Sequence, residues 1–224
     1  MWGFCAMLQA PSSLALQIKQ HHNMTKELVN IIGPRIAVFS NLLSADECDQ
    51  LIDLARPGLI ESNVVDPETG CDVPHPERTS SGRCFEIGEN ELLADIETRI
   101  ANLTQWPVEH GEGCQILHYK EGAEYKPHFD YFDPAIPGNT SHLEFGGQRV
   151  ATLIIYLNTV EAGGETIFPR LGLKVSPIQG HALYFYNVTR ANELNPLSLH
   201  GGLPVLAGEK WICTKWLRAK PYTK

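Results

Sequence analysis

The sequence predicts an α+β fold: a double-stranded β-helix (jelly roll) core with N-terminal helices packed on one sheet. Three observations predict it. Two amphipathic helical patterns fall in the first half, a series of short strand patterns fills the second, and Gly- or Pro-bearing turns separate those strands. Helices that precede a run of short strands have to bury their apolar stripe on a sheet, and many short strands close best as two packed sheets.

Taken in order, the chain opens with Met1 to Leu16, a fairly apolar stretch. No positive charge precedes it and no small-residue cleavage site follows, so it reads as a loosely attached extension rather than a secretory signal. The expected division is an extension over 1–33, with Met24 as a candidate alternative start, and one domain over 34–224. Ser44 and Glu47 have the spacing of a capping box, and Cys48, Leu51, Ile52 and Ala55 follow at helical spacing until Arg56-Pro57-Gly58 stops the run. A second helix carries Leu92, Leu93, Ile96, Ile100 and Leu103 and ends near Trp106-Pro107. The stretch from Asp66 to Gly82, rich in Pro, Gly and Ser, is expected to be a long loop. From residue 113 the period changes to that of strands: GCQILHY and RVATLIIYLN, then TIFP, LKVSP, HALYFYN and WICTKWLR. A further loop is expected over 133–148.

Composition narrows the function. The 224 residues are 43% hydrophobic and 20% charged, enough to bury a substantial core. Eighteen Lys+Arg against twenty-six Asp+Glu leave a formal charge of −8, a surface that repels phosphate backbones, so no nucleic-acid partner is expected. No apolar run reaches the roughly eighteen residues that suggest a membrane span. The six cysteines are scattered without a C-x-x-C pair, which argues against a zinc ribbon and for free thiols in a reducing compartment, hence a cytoplasmic location. Oligomeric state is not legible.

The chemistry concentrates in Pro127-His128-Phe129-Asp130. In an extended chain residues two apart share a face, so His128 and Asp130 aim an imidazole and a carboxylate at one point. His200, followed at once by Gly201-Gly202, is the best third donor. Two histidines and one carboxylate on one side of a metal form the facial triad of non-haem Fe(II) oxygenases, with positions left open for cosubstrate and dioxygen. Ten residues on, Lys210 opens a strand in which Lys210, Ile212, Thr214 and Trp216 share a face. An unpaired lysine buried there would be costly, whereas a dicarboxylate chelating iron at one end would meet it with the other.

With those residues in place, the sequence resembles the prolyl 4-hydroxylase family of Fe(II)- and 2-oxoglutarate-dependent dioxygenases. The resemblance is carried by QILHYKEGAEYKPHFDYF, RVATLIIYLNTVEAGGETIFP and SLHGGLPVLAGEKWICTKWLR, and extends more weakly to RTSSGRCF and the helix after Ser44, covering about residues 35–220. It implies His128, Asp130 and His200 as iron ligands, with no catalytic residue beyond them. It implies Lys210 as the partner of the distal carboxylate of 2-oxoglutarate, and Tyr119 and Thr152 as further residues of that pocket. Tyr125, Trp216 and Arg78 match positions near a substrate proline. The implied cofactor is Fe(II), the cosubstrates are 2-oxoglutarate and O2, and ascorbate is the expected reductant. The implied partner is a proline-containing peptide or protein.

Other readings stay open at this point. The substrate could be a lysyl side chain or a small free molecule, although lysyl hydroxylases of the superfamily tend to use arginine where Lys210 stands. The chain could be a catalytically silent jelly-roll module that binds without turnover. A zinc hydrolase is less well supported, because no glutamate is evidently placed as a general base.

Overall fold

A computed structural model describes residues 24–66, 68–74 and 77–223. In chain order the strands are β1 (Lys26–Ile32), β2 (Arg35–Ser40), β3 (Ile60–Glu61), β4 (Asn63–Val65), β5 (Asp72–Pro74), β6 (Ser81–Cys84), β7 (Gln115–Tyr119), β8 (Tyr125–His128), β9 (Arg149–Tyr156), β10 (Ala162–Gly163), β11 (Thr166–Phe168), β12 (Leu173–Val175), β13 (Ala182–Tyr186), β14 (His200–Gly202), β15 (Val205–Ala207) and β16 (Lys210–Arg218). The helices are α1 (Ala45–Ala55), α2 (Glu91–Thr104) and the short α3 (Thr140–Glu144).

Eight strands form the major sheet, in the order β1-β2-β13-β9-β16-β7-β6-β3, and four form the minor sheet, β12-β11-β14-β8. Every pairing in the two sheets is antiparallel. This is the double-stranded β-helix that the strand pattern predicts. The central strands β9, β13 and β16 are buried along nearly their whole length because both faces of the major sheet are covered.

One face carries the helices. Leu51 and Ile52 of α1 and Leu93, Ile96 and Ile100 of α2 pack against Ile116, Leu153, Ile155, Trp211 and Cys213. The capping box at Ser44 forms in both directions: Glu47 N–H donates to the Ser44 hydroxyl at 3.2 Å and Ser44 N–H donates to the Glu47 carboxylate at 2.8 Å. The opposite face packs Ile154, Tyr156 and Ile212 toward Phe168 and Val175 of the minor sheet. The space left between the two sheets is the functional cavity.

Several segments differ from the expectation. Residues 26–32 do not belong to an unattached extension: as β1 they pair with β2 along the sheet edge, and the expected boundary at 33 falls in the β1–β2 turn. Residues 1–23 lie outside the described part. Strands β1 and β2 were not expected, since RIAVFS is buried at five of six positions and shows no alternation to read. The expected loop over Asp66–Gly82 contains β5, paired with β4 as a separate two-stranded hairpin, and the start of β6. The expected loop over 133–148 contains a 3-10 turn at Pro137–Asn139 and α3.

Candidate metal and cosubstrate site

Sheet register brings the two histidines together. β14 lies beside β8 with His200 directly opposite His128. Pro127 can occupy β8 because the β8–β14 register shifts between the His200–His128 and Gly202–Tyr125 pairs, and at such an irregularity a missing N–H breaks no regular ladder bond. Gly201 is needed opposite it: a Cβ there would lie 2.9 Å from the Tyr125 carbonyl and 3.0 Å from the Pro127 nitrogen. The glycine after His200 therefore permits the approach of the two metal-facing strands.

His128, Asp130 and His200 offer donor atoms that all lie within 4.8 Å of one another. Nε2 of His128 is 3.5 Å from Asp130 Oδ1, and Nε2 of His200 is 3.6 Å from Asp130 Oδ2. Those spacings are long for hydrogen bonds and suit donors sharing one ion, since bonds of roughly 2.0–2.2 Å allow up to roughly 4.4 Å between ligands. Each ring is held through its other nitrogen: Nδ1 of His128 meets the Lys126 carbonyl at 2.9 Å, and Nδ1 of His200 meets the Ser198 carbonyl at 3.0 Å. A carbonyl only accepts, so Nδ1 carries the hydrogen and the Nε2 lone pair is free for a metal.

Protonation favours the same use. Burial opposes charge on Asp130, but the nearby His200 and His128 rings outweigh it and hold the carboxyl well below the usual carboxylate range. Burial pushes His200 down to about 4, with His128 acting in the same direction and Asp130 against, so its imidazole is neutral at physiological pH. An ionised carboxylate and a neutral His200 imidazole, with Nε2 of His128 close by, form a fitting donor set for a mid-row divalent metal.

Thr152 requires a correction. It was expected to line the cosubstrate pocket, but its hydroxyl donates to Asp130 Oδ2 at 2.7 Å and accepts from Asn187 Nδ2 at 2.9 Å. It thus orients a metal-facing carboxylate and does not line the cavity. The parity with Ile154 and Tyr156 read from the sequence is right; what it could not show is that Asp130 reaches across from the turn after β8.

Lys210 is 3% exposed and sits opposite Tyr119 in the β16–β7 ladder. Its ammonium donates to the Gly164 carbonyl at 2.6 Å and lies 5.3 Å from the Tyr119 ring centre. Burial pushes its pKa down to about 8, with Glu165 pulling the other way. An ammonium has three donors, so this one retains hydrogens for a ligand carboxylate. Tyr119 is buried in the same wall, and Thr166, whose hydroxyl accepts from Tyr156 at 2.8 Å, also faces the cavity.

A cavity of about 1870 Å³ connects the triad, Lys210 and the expected substrate-facing residues. Tyr125 stacks on the His128 ring, with centroids 3.6 Å apart, and burial pushes its phenol up to about 12. Arg78 lies 4.9 Å over the Tyr125 ring and donates to the Asn63 carbonyl at 2.8 Å and to Gln115 Oε1 at 3.1 Å. Trp216 lines the far wall beneath Arg149, whose guanidinium is 3.9 Å from its ring centre. Arg149 grips Glu112 with two bonds, at 2.6 and 2.9 Å. Arg149, Glu112 and Thr166 were not singled out from the sequence. Glu112 and Arg149 stand 37 residues apart and only the fold joins them.

Fold and site together fit a metal-dependent oxygenase, with two histidines and one carboxylate as candidate donors. Residues 114–218 match the model of the 2OG-Fe(II) oxygenase superfamily. "Probable prolyl 4-hydroxylase 3" of Arabidopsis thaliana is 43% identical over 208 residues, covering 84% of this chain and 71% of its own, and "Prolyl 4-hydroxylase 5" of the same plant is 42% identical over 84% and 70%. The structure of the viral collagen prolyl hydroxylase of Paramecium Bursaria Chlorella virus-1, in its 2OG complex, superposes with a TM-score of 0.64 at 32% identity, covering 82% of this chain and 96% of that one. The chain belongs to the prolyl 4-hydroxylase family and is a 2-oxoglutarate-dependent dioxygenase using Fe(II) and O2. Among the described residues no helix is long and apolar enough to cross a membrane.

Proposed function

We propose that this enzyme hydroxylates prolyl residues of a peptide or protein, with His128, Asp130 and His200 holding Fe(II) and Lys210 and Tyr119 receiving the distal carboxylate of 2-oxoglutarate. One observation carries this reading: a pre-oriented metal-ligand triad and a buried ammonium open onto the same cavity. When bound, the iron supplies oxidative chemistry in which 2-oxoglutarate is decarboxylated to succinate as an oxygen atom enters a substrate C–H bond.

The chain's own residues bind, orient and exclude water. Lys210 fixes the cosubstrate from one end through a charge-assisted contact in a water-poor pocket. Thr152 and Asn187 fix the carboxylate of Asp130. Tyr125, Trp216 and Arg78 supply two aromatic faces and a guanidinium to the cavity, which suits the compact, apolar ring of proline. The prolyl relatives and the lysine at position 210 favour proline over a lysyl side chain or a free metabolite. Cys48, Cys114 and Cys213 are buried as thiols, which supports a reducing compartment.

Incubating the enzyme with Fe(II), 2-oxoglutarate, ascorbate and a panel of proline-rich peptides tests this. Mass spectrometry should find one added oxygen on proline, with succinate formed alongside. Succinate without modified proline in any peptide would redirect the search to another substrate, and modified lysine would overturn the prolyl assignment.

A further inference from the structure

We propose that His142 is a positioning residue that clamps the turn of the β4–β5 hairpin onto the 133–148 segment at the mouth of the cavity, and that this contact sets how tightly the peptide substrate is held. The effect on peptide binding rests on the prolyl-hydroxylase reading; the clamp itself rests on geometry alone.

His142 Nε2 lies 3.0 Å from the Gly70 carbonyl, which can only accept, so the ring donates. The ring is stacked on Phe132, with centroids 5.0 Å apart and planes 5° from parallel. Phe132 is itself a fixed platform. Its backbone N–H donates to Gln148 at 2.8 Å, and its carbonyl accepts from the same side chain at 2.6 Å. The far side of the contact is equally built. The Asp66 carboxylate accepts from Glu68 N–H at 3.1 Å and Thr69 N–H at 2.8 Å, and Gly70 N–H donates to the Asp66 carbonyl at 2.8 Å. Gly70 has φ +71°, and a side chain there would collide with the Gly138 carbonyl. Only glycine lets the hairpin turn come this close to the Pro137–Asn139 turn.

Both arms face the cavity: Asn63, Val64 and Asp66 from the hairpin, and Ile136, Asn139 and His142 from the other side. The hairpin is the weaker arm. Its two strands pair only with each other, and no described hairpin residue belongs to a core cluster. Such a segment opens at low cost and needs a tether to stay over the site.

Hydrogen–deuterium exchange of the full chain, without substrate, tests the clamp. His142→Phe keeps the stacked ring and removes the donor, so amides of residues 63–74 should exchange about two- to tenfold faster, the worth of one hydrogen bond. His142→Gln, whose amide nitrogen replaces Nε2, should bring exchange back toward wild type. Gly70→Ala should free the same segment from the other side. Exchange in β9 and β16 should stay as in wild type in all three, which shows the core is folded. With poly(L-proline) as substrate, His142→Phe should raise the peptide KM by a similar factor while the KM for 2-oxoglutarate holds. Equal exchange over 63–74 in wild type and His142→Phe would overturn the clamp, as would failure of His142→Gln to restore it. Absence of turnover of poly(L-proline) by wild type would count against the prolyl reading and not against the clamp.

Discussion

Lys210 is the residue whose behaviour is most diagnostic. A buried lysine held by one carbonyl is expensive, and a ligand carboxylate restores what burial removed. Lys210→Ala should raise the KM for 2-oxoglutarate about ten- to a hundredfold, because a hydrogen bond to a charged group contributes about 1.5–3 kcal/mol. The sign of the pH effect follows from the same shift. Between about 8 and the ordinary 10.5 the unfolded chain holds a proton on this residue that the ligand-free fold does not, so the fold's burial penalty is complete below pH 8 and disappears as pH rises toward 10.5. Binding reverses this preference: affinity for 2-oxoglutarate should be level below pH 8 and weaken above it, with proton uptake on binding. Calorimetric titration with an oxygen-inert divalent metal at several pH values measures both. Thr152 gives a second expectation at this scale. Thr152→Val keeps the shape but removes the donor to Asp130, and should weaken metal affinity about tenfold, read by metal titration.

At the scale of elements, what was legible depended on whether a local period carries the information. The Ser44–Glu47 box and the apolar stripe of α2 are periodic and were readable, as were β7, β9, β13 and β16. His128 and Asp130 were readable because alternation places them on one side, and His200 because two glycines mark a close approach. Strand β2, buried nearly throughout, has no period. The β4–β5 hairpin has strands too short to show one. Cross-element pairs such as Glu112 with Arg149 have no local signature. The most instructive omission is the buried ion pair of Glu97 on α2 with Lys215 on β16, whose side chains are 1% and 2% exposed. Each lies at a core position of its own element, Glu97 between Ile96 and Ile100 and Lys215 between Cys213 and Leu217 on the helix-facing side of the strand. Two charges misplaced in the same way on facing elements are a detectable hint of pairing. Lys215→Met should leave Glu97 buried and uncompensated, costing about 3–5 kcal/mol. Melting should fall by roughly 6–20 °C. Adding Glu97→Leu should recover part of the loss, since Gly88 N–H also donates to that carboxylate. Thermal unfolding of the three variants checks this.

For the whole molecule, the two sheets divide the work. The major sheet carries Lys210, Tyr119, Thr152 and Trp216 on a scaffold braced by α1 and α2. The minor sheet and the turn after β8 carry the proposed metal donors, His128, Asp130 and His200. The active geometry therefore exists only when the sheets are packed, which is why substitution in either layer should reach the chemistry. Succinate release from 2-oxoglutarate, compared between wild type and Asp130→Asn under saturating Fe(II), tests that union most directly. The account predicts Fe(II)-dependent succinate from the wild-type enzyme and none above background from the variant. Undiminished succinate from Asp130→Asn would contradict it.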